Sequence, residues 1–220
     1  TMQQYGLLSV DKTSFKRSPI PFKGSSVQAS IEDFCCVVTI IQTYKNDTDD
    51  LIEAVYRFPL HERSAINRFV AWIDSKKLVG QIQTSEKAQQ TYDDAVASGK
   101  GAYLLEKKEK GIYEMSVGAL PPQKEVKIEI SYISDLDFEG NDIVFELPTS
   151  ICPTSSAPIS NGNTTTYVFD AIVHLNMTRT IQSLRCPSYS LQDTESVIGK
   201  QHGTFKTIPS AMGAPFRLSI

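Results

Sequence analysis

The residues best placed for chemistry form one acidic run: Asp135, Asp137, Glu139, Asp142 and Glu146. Counted from Asp135, carboxylates fall at positions one, three, five and twelve of a calcium-binding EF-hand loop, with Gly140 at position six. Position eight of such a loop is apolar, and here it is Asp142. An EF-hand loop also joins two helices. Both flanks of this run, 125–132 and 143–147, instead alternate with the period of strands. The run is therefore expected to be a β-hairpin loop with solvated acids, not a calcium site.

Other chemistry is sparser still. His61, His174 and His202 show no metal-ligand spacing. His61 follows Phe58-Pro59-Leu60 and reads as a solvated loop residue. His174 reads as a surface residue on the strand face opposite Leu175. Ser9 and Lys12 fit S-x-x-K without the helper motifs of the penicillin-binding enzymes. No G-x-S-x-G elbow, P-loop or G-x-G-x-x-G occurs. Ser98-Gly99-Lys100-Gly101 follows a helical pattern instead of opening one, which is the wrong end of the dipole for phosphate.

The four cysteines, Cys35, Cys36, Cys152 and Cys186, match no zinc pattern. Cys35 and Cys36 lie in the most apolar run and read as core thiols. A bridge between Cys152 and Cys186 requires an oxidising compartment. Three N-x-S/T triplets, at Asn46, Asn163 and Asn176, point to such a compartment. The absence of a leader before the first strand-like segment points to the cytoplasm. Met2 at the front reads as a native start, and the apparent strand at 216–220 reads as one whose neighbour lies further on. No catalytic, cofactor-binding or metal residue is expected.

Composition narrows the partners. With net charge −3 over 220 residues, the chain lacks the basic excess of a nucleic-acid or anionic-membrane surface. Lys107, Lys108 and Lys110 alternate with Glu106 and Glu109, the pattern of a solvated turn. No apolar run is long enough to span a bilayer as a helix. The chain is long enough to bury a core without disulfide or metal staples.

The elements that must position these residues are mostly strands. Val126, Ile128, Ile130 and Tyr132 face one way, and Glu125, Lys127, Glu129 and Ser131 the other, as in an antiparallel strand with one dry face. Further strands are predicted at 26–31, 34–44, 53–58, 68–73, 77–84, 102–106, 112–117, 143–147, 167–175 and 216–220. Turn residues punctuate them, as in Lys45-Asn46-Asp47 and Leu120-Pro121-Pro122. One segment, about 85–98, reads as an amphipathic helix. Thr84 or Ser85 caps it, Ala88, Tyr92, Ala95 and Val96 share a face, and Gly99 ends it. Residues 149–166 read as a polar linker, and 193–215 as loop-rich. The expected architecture is an antiparallel β-sandwich with one helix.

Several motifs agree on a family. Tyr56-Arg57-Phe58-Pro59-Leu60, Ala65 to Asp74, Leu78-Val79-Gly80-Gln81-Ile82, Ala88 to Leu104, Tyr113 to Pro122 and Val126 to Tyr132 resemble the VIT (vault protein inter-alpha-trypsin) domain, in order over about 22–148. Within the family the chain is similar to the vault poly(ADP-ribose) polymerase and, through its opening residues and its tail with Cys186-Pro187, to intracellular von Willebrand factor A domain-containing proteins. The resemblance implies a VIT β-sandwich over 1–150. It also implies a linker and further strands over 151–220, the start of a second β domain leading to an A domain. The D-x-S-x-S run of such an A domain does not occur here. The implied function is a non-catalytic protein-interaction or scaffold module, cytoplasmic, contacting a protein partner and the downstream A domain. Nucleic acid and membrane are not expected as partners. The alternative is a secreted, matrix-associated module like the inter-alpha-trypsin inhibitor heavy chains. The segment 86–98 and the loop around Phe58 to His61 are the expected contacts.

Overall fold

The computed structural model describes residues 5–11, 14, 16–74, 76–82, 104–109, 111–147, 168–210 and 214–220. Among these the protein is built of strands: β1 (Gly6–Val10), β2 (Arg17–Pro19), β3 (Phe22–Glu32), β4 (Cys35–Lys45), β5 (Ile52–Pro59), β6 (Ser64–Ile73), β7 (Lys76–Val79), β8 (Gln81–Ile82), β9 (Leu104–Glu109), β10 (Ile112–Leu120), β11 (Glu125–Asp135), β12 (Asp137–Glu139), β13 (Asp142–Leu147), β14 (Val168–Asn176), β15 (Leu191–Gln192), β16 (His202–Thr207) and β17 (Phe216–Ser219). A single 3-10 turn spans Thr194–Ser196 among the described residues. The predicted helix at 85–98, the linker at 149–166 and Cys152 lie outside the described residues.

Three sheets result. One has the order β2-β1-β5-β10-β9-β8, the second β15-β16-β14-β3-β4-β11-β6-β7, and the third β12-β13-β17. The strand predicted at 77–84 is divided between the first two. The chain crosses between them at Gly80, whose N–H donates to the Phe69 carbonyl at 3.0 Å. The basic-acidic run expected as a turn is instead the strand β9, paired with β10. The loop-rich stretch carries β16, which pairs with β14.

The alternation of β11 is realised residue by residue. Val126, Ile128, Ile130 and Tyr132 are buried, and β11 is flanked on both sides, by β4 and β6. The two large sheets pack face to face, as a sandwich requires. Tyr56 of β5 meets Phe69 of β6 at 5.8 Å and Tyr44 of β4 at 6.3 Å between ring centroids. These inward side chains belong to one continuous core, and burying each is worth about 1.5–3 kcal/mol. Between the layers Gln42, fully buried, accepts hydrogen bonds from the Tyr44 and Tyr56 hydroxyls. The third sheet joins the core through Phe216, which packs on Phe145, Phe169 and Tyr189.

Two features depart from a simple antiparallel sandwich. β14 runs parallel to β3 over its whole length, from Val168 opposite Gly24 to Asn176 opposite Glu32. β8 runs parallel to β9. The paired core thiols also separate. Cys36 is buried, but Cys35 is exposed, because successive residues of a strand point to opposite faces.

Candidate functional site

A cleft of about 360 Å³ opens where β5 turns into β6, beside the exit of β11 and the strand β13. Its first wall is the Phe58 to His61 corner that the sequence marks out. β5 stops at Pro59, which has no N–H to continue a ladder. Leu60 then donates its N–H to the Gly111 carbonyl at 2.8 Å, and Ser64 donates to the His61 carbonyl at 2.9 Å, closing a tight turn. Within that turn the Arg63 N–H donates to His61 Nδ1 at 3.2 Å. His61 is exposed, as expected of a loop histidine, and this nitrogen is engaged as an acceptor. His174 is likewise exposed on β14, with Nδ1 2.9 Å from Thr204 Oγ1.

The acidic run forms the opposite wall. It is a β-hairpin, β12 against β13, with Gly140 at the turn in a left-handed conformation (φ 62°). The flanks are strands, so the five carboxylates spread from the end of β11 along the hairpin instead of converging as in an EF-hand loop. Arginines answer four of them. Arg63 pairs with Asp137 across the cleft mouth, and Arg185 pairs with Asp142. Arg217 bridges Glu139 and Glu146, reaching Glu146 at 2.9 Å. The Glu139 hydrogen bond, with help from Glu146, holds that guanidinium above its ordinary value. Asp135 has no arginine partner among the described residues.

The floor is apolar. Leu60, Tyr132, Leu136, Val144 and Phe145 are all buried there, and Cys36 lies among them. Burial pushes the Cys36 thiol up to about 11, so at neutral pH it is a packed thiol and not a thiolate nucleophile. Ser64 and Ser134 bond to each other through their hydroxyls at 2.9 Å. The chemistry open to such a cleft is to receive an apolar side chain at the floor and a charged group at the mouth.

The Asn46 triplet has a different meaning in the fold than in the sequence. Asn46 is fully buried, and its amide nitrogen donates to the carbonyls of Asp50, Leu120 and Pro121 at 2.9, 3.2 and 3.0 Å. Its Oδ1 accepts from the Thr48 N–H and hydroxyl. The Asn-x-Thr pattern here is a loop clasp. Asn176 is exposed at the end of β14, and Asn163 lies outside the described residues.

Of the expected contacts, Pro59, Leu60 and His61 line the cleft, Phe58 is buried in the core, and the 86–98 segment lies outside the described residues. The hairpin wall was missed as a surface. Its signal was Phe138, an aromatic residue inside an acidic run. Phe138 is 57% exposed and packs on the equally exposed Phe34 of the β3–β4 turn, at 5.3 Å.

Comparison with known proteins places this geometry in context. A profile of the vault protein inter-alpha-trypsin domain matches residues 22–132. The chain is 36% identical over 146 residues to mouse protein mono-ADP-ribosyltransferase PARP4, covering 66% of this chain and 7% of that protein. It is 30% identical over 202 residues to rat von Willebrand factor A domain-containing protein 5A, covering 90% of this chain and 23% of the relative. The chain thus spans less than a quarter of either relative. The crystal structure of an M1 zinc metallopeptidase from Deinococcus radiodurans superposes with a TM-score of 0.50 at 8% identity, covering 100% of this chain and 43% of that one. At that identity the likeness shows the fold alone.

Proposed function

This chain belongs to the vault protein inter-alpha-trypsin (VIT) domain family, and on that premise we propose that it is a non-catalytic interaction or scaffold module of a multidomain protein that also carries a von Willebrand A domain. The observation that carries the reading is how the cleft spends its polar groups. His61 Nδ1 caps its own turn, Cys36 is held as a thiol, and four of the five carboxylates of the acidic run are bound to arginines. A catalytic site needs a nucleophile and a base free to face one another. A docking site needs shape, an apolar floor and a charged margin. The match along 90% of the chain to an A domain-containing relative supports the architecture. In this reading the partners are protein, including the A domain of the same polypeptide, and neither nucleic acid nor membrane.

The same reading places the protein in the cytoplasm. An extracellular, matrix-associated role draws on the three glycosylation triplets. The burial and fivefold hydrogen bonding of Asn46 weigh against it, because a glycan on that nitrogen would displace the loop. Glycan found on Asn163 or Asn176 of the native protein would reverse the assignment.

The test is affinity capture with the full-length protein and with a version lacking residues 1–220. Loss of a defined set of partners is expected on deletion. Identical partners from both would overturn the reading.

A further inference from the structure

Ser18 lies on β2, at the rim of the six-stranded sheet. It is the one serine or threonine of the 220 residues that a proline follows, and Lys16 and Arg17 precede it. Lys16, Ser18 and Pro19 are all exposed. A residue before proline is held extended, and Pro19 has no N–H to offer a further strand. β2 therefore remains an edge among the described residues, three residues long and paired with β1.

The side chains around Ser18 are unevenly engaged. Arg17 points to the opposite face of the strand and donates from both terminal nitrogens to Glu114, at 2.7 and 3.0 Å. That pair holds β2 in place while leaving the Ser18 face open. Ser9, opposite Ser18, donates its hydroxyl to the Ser18 carbonyl at 3.1 Å. Exposed hydroxyls elsewhere are tied down, as Thr178 is to Asp33 and Ser196 to the Asp193 carbonyl. The Ser18 hydroxyl bonds to no described residue. It borders a recess of about 470 Å³ that Lys16 and Asp11 also line. Lys16 lies two residues earlier, on the same side of an extended chain. Asp11 accepts the Ser14 N–H at 2.7 Å.

We propose that Ser18 is a phosphorylation site for a proline-directed protein kinase. Such an enzyme takes its acceptor serine in an extended segment and reads the proline after it, and the rim of the sheet presents both. The serine oxygen attacks the γ-phosphorus of a nucleoside triphosphate. The Oγ–P bond forms, the bond from that phosphorus to the β–γ bridging oxygen breaks, and the hydroxyl proton passes to the base of the kinase, leaving the nucleoside diphosphate. The product carries an added charge of about −1.5 to −2 at neutral pH, beside the Lys16 ammonium. The recess has room for it, so the modification needs no rearrangement of the core. This site is separate from the cleft and goes beyond the interaction-module reading.

The test is incubation of the folded 220-residue chain with a purified mitogen-activated protein kinase and magnesium ATP. Phosphate is counted by intact mass and located by peptide fragmentation. One phosphate, on Ser18, is expected. Ser18→Ala should abolish it, and Pro19→Ala should slow it by about tenfold or more, the loss typical of a missing recognition contact. A synthetic peptide of residues 12–24 serves as the reference for access, and the folded chain is expected to be modified alongside it. A peptide that is modified while the folded chain is not would show that β2 shields the serine and would overturn the proposal. Phosphate on another residue, or none on either substrate, would overturn it as well. So would an unchanged rate in Pro19→Ala, which would assign Ser18 to an enzyme reading Lys16 and Arg17. None of these outcomes bears on which partners the protein captures, so the interaction-module reading stands or falls separately.

Discussion

Replacing Asn46 by alanine removes one buried side chain and its five hydrogen bonds, and leaves the Leu120 and Pro121 carbonyls and the Thr48 N–H without this partner, while the Thr48 hydroxyl keeps the Asp50 carbonyl. Unpaired buried groups cost about 1–3 kcal/mol each, and water can recover some of them here, so a loss of roughly 3 kcal/mol is expected in urea denaturation. Asn46→Asp should be no milder, because it turns the donor into an acceptor facing three carbonyls. Cys36 makes a prediction in pH. Its folded thiol holds the proton up to about 11, against an ordinary 9.0. Stability from this group is therefore complete below pH 9 and is lost as pH climbs toward 11, by about 2 kcal/mol. The Cys36→Ala variant should lack that component of the alkaline decline. In alkylation at mildly alkaline pH, Cys35 should react well before Cys36. At this scale the sequence was legible where polarity and position agreed, as for His61 and His174. It misled at Cys35, where strand alternation outweighs local hydropathy, and at Asn46, where a short motif fits two unrelated uses.

Turns separate what glycine does from what space allows. Gly111 and Gly140 both adopt left-handed backbone, at φ 75° and 62°. A Cβ on Gly140 would meet nothing within 4 Å, whereas one on Gly111 would lie 2.9 Å from the Leu60 carbonyl oxygen at the cleft wall. Gly140→Ala should thus cost only the backbone strain, about 1 kcal/mol, and Gly111→Ala more, about 2–3 kcal/mol, by chemical denaturation. A larger loss at Gly140 would show that the hairpin turn bears a load not visible in its contacts. The long two-sided strands were legible because a dry and a wet face leave a period of two, and β11 is the clearest case. β1, β2 and β12 were not, since three to five residues carry too few alternations to stand out. The switch of sheets at Gly80 was hidden because β7 and β8 read as one continuous strand pattern. The cleft was half legible: its Pro59 corner follows from proline chemistry, but nothing local brings 58–64 beside 134–146.

At the scale of the molecule the decisive contact is the parallel pairing of β14 with β3, in the middle of the eight-stranded sheet. A chain cut after residue 150 would leave β3 with nine residues of open edge, and would also remove β17 from β13. Such a fragment is expected to associate or precipitate at concentrations where the 220-residue chain stays monomeric, as read by size-exclusion chromatography with light scattering. A monomeric, cooperatively melting fragment would show that the remaining sheets close without β14. Nothing in the sequence marked this pairing, because parallel neighbours need no hairpin and the polar stretch that leads into β14 carries no register information. The arrangement has a consequence in time. On the ribosome, β3 emerges about 140 residues before the strand that lies against it. At about 5–20 residues per second that gap is on the order of ten seconds. Throughout it the nascent sheet presents an unfilled slot, so the protein's exposure to misassociation in the cell is set by the pace of its own synthesis.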